Sequence, residues 1–133
     1  MPPEPVFFID RNLGAKYLPA ELRKAGFCLV VHDEHFKQRQ DVQDPEVIAE
    51  CGRNGWILLT ADSAMSRRWA VEIKAAKIGI ICQTNNNQGP RLWVPRIIRA
   101  KNRIIKAALN REKPFVDFIQ AVPNGKLVKG ALD

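Results

Sequence analysis

Trp56-Ile-Leu-Leu-Thr60 constrains the fold more than any other stretch. Trp56 to Leu59 is an unbroken apolar run, with Asn54-Gly55 before it and Thr60-Ala61-Asp62 ending it. Between those flanks there is no room for a helix, and the run reads as a buried strand of a parallel sheet. The residues before it read as a helix. Asp44-Pro45 supplies a capping carboxylate followed by proline at the first helical position. Val47, Ile48 and Cys51 make a short apolar stripe, and Asn54-Gly55 ends it. One carboxylate therefore stands at a helix start and another where a buried strand leaves the sheet.

The same alternation runs through the rest of the chain. Val6-Phe-Phe-Ile9 reads as the first strand, ending at Asp10. Arg11 to Ala25 reads as helix, with Pro19 opening its last segment and Gly26 stopping it. Phe27 to Val31 is the second strand, and His32 to Gln43 a polar loop. A helix is predicted from Ser63 to Ala76 with Met65, Trp69 and Ile73 inward, then a fourth strand from Ile78 to Cys82. Thr84 to Pro90 is a polar turn or loop. The longest helix is expected from Val94 or Pro95 to Arg111. Val94, Ile97, Ile98, Ile104, Ile105, Ala108 and Leu109 share one face, and Arg96, Arg99, Arg103 and Lys106 the opposite one. Lys101 falls on the apolar side, where only a snorkelling stem accounts for it. Residues 115–122 read as a strand, Pro123-Asn-Gly125 as a turn, and Lys126 to Lys129 as the second arm of a hairpin. Strands separated by helices predict an α/β sandwich with a mostly parallel sheet, whose ligand site lies at the carboxyl ends of its strands.

A chain of 133 residues is expected to form one domain, 1–133. Residues 1–90 carry equal numbers of acids and bases, so the whole net charge of +7 falls within residues 91–133. A neutral body with a basic C-terminal third suits a polyanionic partner, although a merely soluble basic surface has the same composition. Cys28, Cys51 and Cys82 are odd in number, far apart and set in apolar segments. They read as buried free thiols of a cytoplasmic protein, with no metal-binding spacing. Met1-Pro-Pro-Glu-Pro5 lacks the basic and apolar regions of a signal peptide, and no segment is apolar enough to span a membrane.

Asp10 and Asp62 each sit at or just past the carboxyl end of a strand. If those strands are neighbours, the carboxylates converge at one rim; nothing local fixes the rim on which Asp44 lies. Two carboxylates roughly 4 Å apart repel by about 4 kcal/mol at an effective dielectric near 20. Protonation or a divalent cation relieves that repulsion, and all-oxygen ligands suit Mg²⁺ or Mn²⁺ better than Zn²⁺. Each acid also has an ordinary reading: Asp44 and Asp62 as helix caps, Asp10 as a surface partner of Arg11. His32-Asp-Glu-His35 offers ligand types but too few for zinc. No glycine-rich phosphate loop, serine nucleophile elbow or Cys-His pair is present.

Taken together, Val6-Phe-Phe-Ile-Asp10-Arg-Asn-Leu13, Leu22-Arg-Lys-Ala-Gly26, Asp44-Pro-Glu-Val-Ile48 and Ile57-Leu-Leu-Thr-Ala-Asp62 resemble the compact PIN-like nucleases, including the VapC-like toxins of toxin–antitoxin pairs. The resemblance runs from about residue 6 to 83. It implies a PIN-like three-layer α/β/α sandwich, here with a C-terminal hairpin, and an acidic pocket for Mg²⁺ or Mn²⁺. It implies metal-dependent cleavage of RNA, a cognate antitoxin protein and dimerisation in many members. Asp10 matches the acid ending the first strand, Asp44 the acid opening the helix before the second conserved strand, and Asp62 the acid of the Thr-x-Asp ending. No clear acid stands on an additional helix between Asp10 and Asp44; Asp33 or Glu34 is the candidate to fill that role, and the alternative is a three-acid site. Asn12 is a candidate to order Asp10 or the loop around it.

The expected function is then a metal-dependent endoribonuclease of toxin type. Asp10, Asp44 and Asp62 would bind the metal, and Arg96, Arg99, Arg103 and Lys106 the RNA backbone. A non-catalytic RNA-binding or regulatory module on the same fold is the alternative. A phosphotransfer domain built on Asp10 is disfavoured, because an adjacent acid pair and a lysine after the fourth strand are both missing.

Overall fold

A computed structural model describes residues 4–37, 39, 41–84, 88–120 and 126–132. The chain order is β1 (Val6–Ile9), a 3-10 turn (Arg11–Leu13), α1 (Tyr17–Lys24), β2 (Cys28–Val31), α2 (His32–His35), α3 (Asp44–Asn54), β3 (Ile57–Thr60), α4 (Met65–Arg68), α5 (Ala70–Ala76), β4 (Gly79–Gln83), α6 (Pro90–Arg99), α7 (Lys101–Asn110), β5 (Phe115–Gln120) and β6 (Lys126–Lys129). The strands form one sheet in the order β2-β1-β3-β4-β5-β6. The first five are parallel, and β6 returns antiparallel to β5. The expected hairpin is present; its turn at Pro123 to Gly125 lies outside the described residues.

Alternation along the strands divides the core into two apolar layers. Phe7, Ile9, Ile57, Leu59, Ile81, Phe115 and Ile119 face α1, α6 and α7. Phe8, Leu58, Ile80 and Val116 face α3, α4 and α5. This is the three-layer sandwich expected from short buried runs separated by amphipathic helices. The chain leaves β1 to β2 on one side, then crosses to β3 on the other. The strand order reverses around β1, so the carboxyl ends of β1 and β3 flank the place where parallel sheets bind ligands.

Several boundaries differ from the sequence expectation. The stretch expected as one helix from Ser63 to Ala76 is two, broken at Trp69, whose backbone (φ −119°, ψ 29°) is not helical. The long basic helix is also two, α6 and α7, joined at Ala100. It starts earlier than expected, at Pro90, because proline suits the first helical turn, where its missing N–H costs no bond. Ile98 and Leu109, expected inward, are exposed. Lys101 gains a definite role: its Nζ donates to the Ala25 carbonyl at 2.7 Å, placing a cation on the last turn of α1. His32 to His35 is a helical turn rather than loop. Cys51 and Cys82 are buried free thiols, whereas Cys28, at the start of edge strand β2, is exposed. Among the described residues no helix is long and apolar enough to cross a membrane.

Candidate active site at the carboxyl rim

Pairing of β1 with β3 sets the site. Phe7, Phe8 and Ile9 lie opposite Ile57, Leu58 and Leu59. One residue on, the Asp10 N–H donates to the Leu59 carbonyl at 3.0 Å, so Asp10 is fixed where β1 leaves the sheet. Its side chain is 5% exposed. Oδ1 accepts the Arg11 N–H at 2.9 Å, and Oδ2 accepts the Thr60 hydroxyl at 2.8 Å.

Thr60 is completely buried and its hydroxyl is saturated. Its oxygen accepts from Asn12 Nδ2 at 3.0 Å and from the Asp62 N–H at 3.1 Å. With both acceptor positions filled, the hydroxyl hydrogen is directed to Asp10. Asn12 Oδ1 in turn accepts the Ala61 N–H at 3.0 Å. Asn12 thus stitches the turn after β1 to the end of β3 and orders the Asp10 environment. Thr60 is the functional residue that sequence reasoning undervalued; its place two residues before Asp62, on a strand end, was the available signal.

Asp10 titrates above its ordinary range. Burial raises its pKa most, the Thr60 and Arg11 hydrogen bonds oppose this, and the negative charge of Asp44 raises it further. Asp44 is thus within electrostatic reach of Asp10, which the sequence left open. Asp44 is not the helix cap it resembles. Gln43 occupies the cap position without a side-chain bond, and Asp44 is the first residue of α3. Its Oδ2 accepts instead from Trp69 Nε1 at 3.1 Å, so the break between α4 and α5 turns an indole toward the acid. No sequence pattern marked Trp69 for that role.

Asp62 is held differently. Oδ1 accepts the Ala64 N–H at 3.0 Å, a local capping bond, and Oδ2 meets Arg68 Nη1 at 3.1 Å. Cys82 lies opposite Thr60 on β4. Its thiol is pushed up to about 12, by burial first and then by the charges of Asp62 and Asp10. Asp62, Asn12, Ala61 and Trp93 line a hollow of about 370 Å³.

The acids stop short of a finished metal cage: among the described residues no three His, Cys, Asp or Glu side chains form a metal-binding group. The donor chemistry nonetheless fits a hard cation. Mg²⁺ is commonly bound through one or two carboxylates while keeping several waters, and Asp10, with the charge of Asp44 within electrostatic reach, is chemically suited to such a site. The Asp62–Arg68 ion pair is half exposed, at 27% and 53%, and exposed pairs of this kind are worth only about 0–1 kcal/mol. Glu34 is paired with Arg23 at 3.0 Å.

Of the basic residues expected on one helix face, Arg99, Arg103 and Lys106 are exposed. Arg96 is not: it is 8% exposed, and its Nη2 donates to Gln88 Oε1 at 2.9 Å. Three residues after Trp93, it shares that residue's inward stripe. Arg96 therefore leaves the exposed set. The break at Ala100 also splits the others, Arg99 on α6 and Arg103 and Lys106 on α7.

Comparison with known proteins bears on the fold. A family profile described as "PIN like domain" matches residues 5–82, more than half of the chain. The chain belongs to the PIN-like domain family. The matched segment runs from β1 to β4 and contains Asp10, Asp44 and Asp62, while the basic helices lie beyond it. A Mycobacterium tuberculosis protein named "Putative ribonuclease VapC45" is 45% identical over 132 residues, covering 92% of this PIN-like chain and 88% of that relative. No solved structure matches the chain.

Proposed function

We propose that this PIN-like protein, a single domain, is a divalent-metal-dependent endoribonuclease, the toxin of a cytoplasmic toxin–antitoxin pair. The observation that carries the reading is the buried carboxylate of Asp10 at the β1–β3 rim, held by Thr60 and Arg11 and within electrostatic reach of Asp44. The relative's printed name, ribonuclease VapC45, supports RNA as substrate and an antitoxin as partner. Asp10 and Asp44 would hold Mg²⁺ or Mn²⁺, and Asp62 would join them once it parts from Arg68. A bound cation would position the phosphate, lower the pKa of the attacking water and stabilise the leaving oxygen. The chain's own part is to hold Asp10 immobile and to offset part of the cost of burying its charge. Thr60 and Arg11 do this by donating to its two oxygens, and Asn12 by fixing Thr60.

The direct test is incubation with mixed structured RNAs in Mg²⁺, in Mn²⁺ and in chelator. Cleavage with either metal and none with chelator is expected. The rival reading, a non-catalytic RNA-binding module, draws on the lack of a three-ligand group among the described residues. It predicts RNA binding indifferent to metal and no cleavage under any condition.

Arg99, Arg103 and Lys106 are assigned to the RNA backbone. Removing one phosphate-binding side chain should reduce the slope of log K against log salt by roughly 0.7–0.9. Arg99→Ala with Arg103→Ala should therefore weaken RNA affinity and flatten its salt dependence. An unchanged slope would remove these residues from the interface.

A further inference from the structure

The helices that follow β1 and β4 begin on the acidic side of the sheet. β1 ends at Ile9 and α1 begins at Tyr17; β4 ends at Gln83 and α6 begins at Pro90. Each helix packs back along a parallel strand, so its first turn lies at the carboxyl rim. Those two first turns touch: the Arg91 guanidinium carbon lies over the Tyr17 ring, 5.2 Å from its centroid. Two residues on, Trp93 lines the hollow shared by Asn12, Ala61 and Asp62. At a rise of about 1.5 Å per residue, Arg91 and Trp93 are about 3 Å apart along α6. The Tyr17–Arg91 pair therefore stands beside the hollow that Asp62 lines.

Neither side chain belongs to the core. α1 buries Leu18, Pro19 and Leu22, whereas Tyr17 stays 42% exposed even with Arg91 against it. α6 turns Trp93, Val94 and Ile97 inward and leaves Arg91 exposed. Among the described residues the Arg91 guanidinium has no ion pair and no hydrogen bond. α6 contains no acid, and Glu21, the one acid of α1, is paired with Lys24 at 3.0 Å. An open aromatic ring beside an unpaired guanidinium suits one nucleotide. Every base has a flat face that stacks on such a ring without a particular hydrogen-bond pattern. Arginine offers a phosphate a planar fork of N–H donors, and its contact with Tyr17 fixes that fork beforehand. In a duplex the bases are enclosed, so only an unpaired nucleotide fits both groups.

Resting on the ribonuclease reading, we propose that Tyr17 and Arg91 form a subsite for one unpaired nucleotide of the RNA strand, the base stacked on the Tyr17 ring and the phosphate held by Arg91. The reading itself favours RNA over a protein segment here, because a strand that reaches the acids must cross this rim. Tyr17 and Arg91 then act as positioning residues, setting where the strand lies relative to Asp62.

The test is a titration of the full-length protein with a fluorescently labelled single-stranded octaribonucleotide, with chelator present so that binding is read without turnover. Tyr17→Ala should weaken binding about tenfold, within the range for one base stacked on an aromatic side chain, and leave the salt slope unchanged. Tyr17→Phe keeps the ring and should bind like wild type. Arg91→Ala should flatten the slope of log K against log salt by about 0.7, one phosphate contact on a single strand. The deciding probe is an octamer of the same length with every base removed, which keeps all its phosphates. Wild type should prefer the base-bearing octamer about tenfold more strongly than Tyr17→Ala does. Circular dichroism checks that each variant is folded. An equal preference in the two proteins would overturn the proposal, as would unchanged RNA affinity in Tyr17→Ala, which would leave the ring to a protein partner, or no binding by wild type. Cleavage by wild type with an equal preference sinks this subsite alone. Absence of cleavage sinks the ribonuclease reading and leaves the base preference measurable.

Discussion

In Asp10→Asn, cleavage of RNA is expected to fall at least about a hundredfold, in line with the loss of a group that stabilises charge at a reacting centre. The fold should survive, because asparagine keeps the shape and an oxygen for the Arg11 N–H. Thermal stability separates this from simple damage. The pKa of Asp10 is raised above its ordinary 3.8 in the folded protein. Ionising it therefore costs stability: the contribution is fully present below the unfolded value and lost as pH rises through the raised folded value. Asparagine has no such charge. Against that relief stands the Thr60 hydroxyl, which an asparagine amide in the place of Oδ2 cannot accept, so the decisive reading is the slope: the variant's Tm should vary less than the wild type's between pH 4 and 7. Adding Mg²⁺ or Mn²⁺ should raise the wild-type Tm by mass action and leave the variant's unchanged. A variant that keeps the wild-type pH dependence of Tm, or that still gains from metal, would mean that Asp10 is a structural acid.

The largest effect on stability is expected at the far end of the sheet. Asp117 is 2% exposed in the middle of β5, and its carboxylate is paired with Arg111, just past the end of α7. The same guanidinium lies 4.9 Å over the Phe115 ring. Arg111→Met removes the cation and leaves a buried carboxylate unmatched. Breaking a buried pair from one side costs on the order of 3 kcal/mol, a large part of the stability of a domain this size. Urea denaturation should show the midpoint falling at nearly constant slope. Replacing both partners, Arg111→Met with Asp117→Leu, should recover most of the loss, because no charge is then left in the core. A single variant within about half a kcal/mol of wild type would show that solvent reaches Asp117 once Arg111 is gone.

What was legible in the sequence follows from what is local. Val6 to Ile9, Ile57 to Thr60 and Gly79 to Gln83 are apolar at every or nearly every position, and such runs leave little choice but a buried strand. Asp10 was visible because it directly follows one, and Asp62 because it stands two residues past the end of another. The helix breaks at Trp69 and Ala100 were hidden, since neither glycine nor proline marks them and the apolar spacing continues through both. The same break hid the Trp69–Asp44 bond, and with it the finding that Asp44 does not cap its own helix. Arg96 misled for a related reason: helical periodicity assigns a face, but not how wide a stripe the neighbouring elements bury. His32 looked like part of a solvated loop because Asp33 and Glu34 follow it, while of the two rings that pack on it Phe36 was assigned to the same loop and Phe8 comes from β1, far back in the chain.

The hydrogen bond from Thr60 to Asp10 joins residues 50 apart. Its consequence concerns timing as the chain is made. Neither acid environment can form until β3 has emerged and laid itself against β1, and closing so long a loop carries an entropic cost that local helix formation cannot offset. A nascent chain that ends before Thr60 therefore has no assembled rim, however well its first helices form. Activity arrives as a late, all-at-once property of folding, and the basic helices, still further along the chain, come after it.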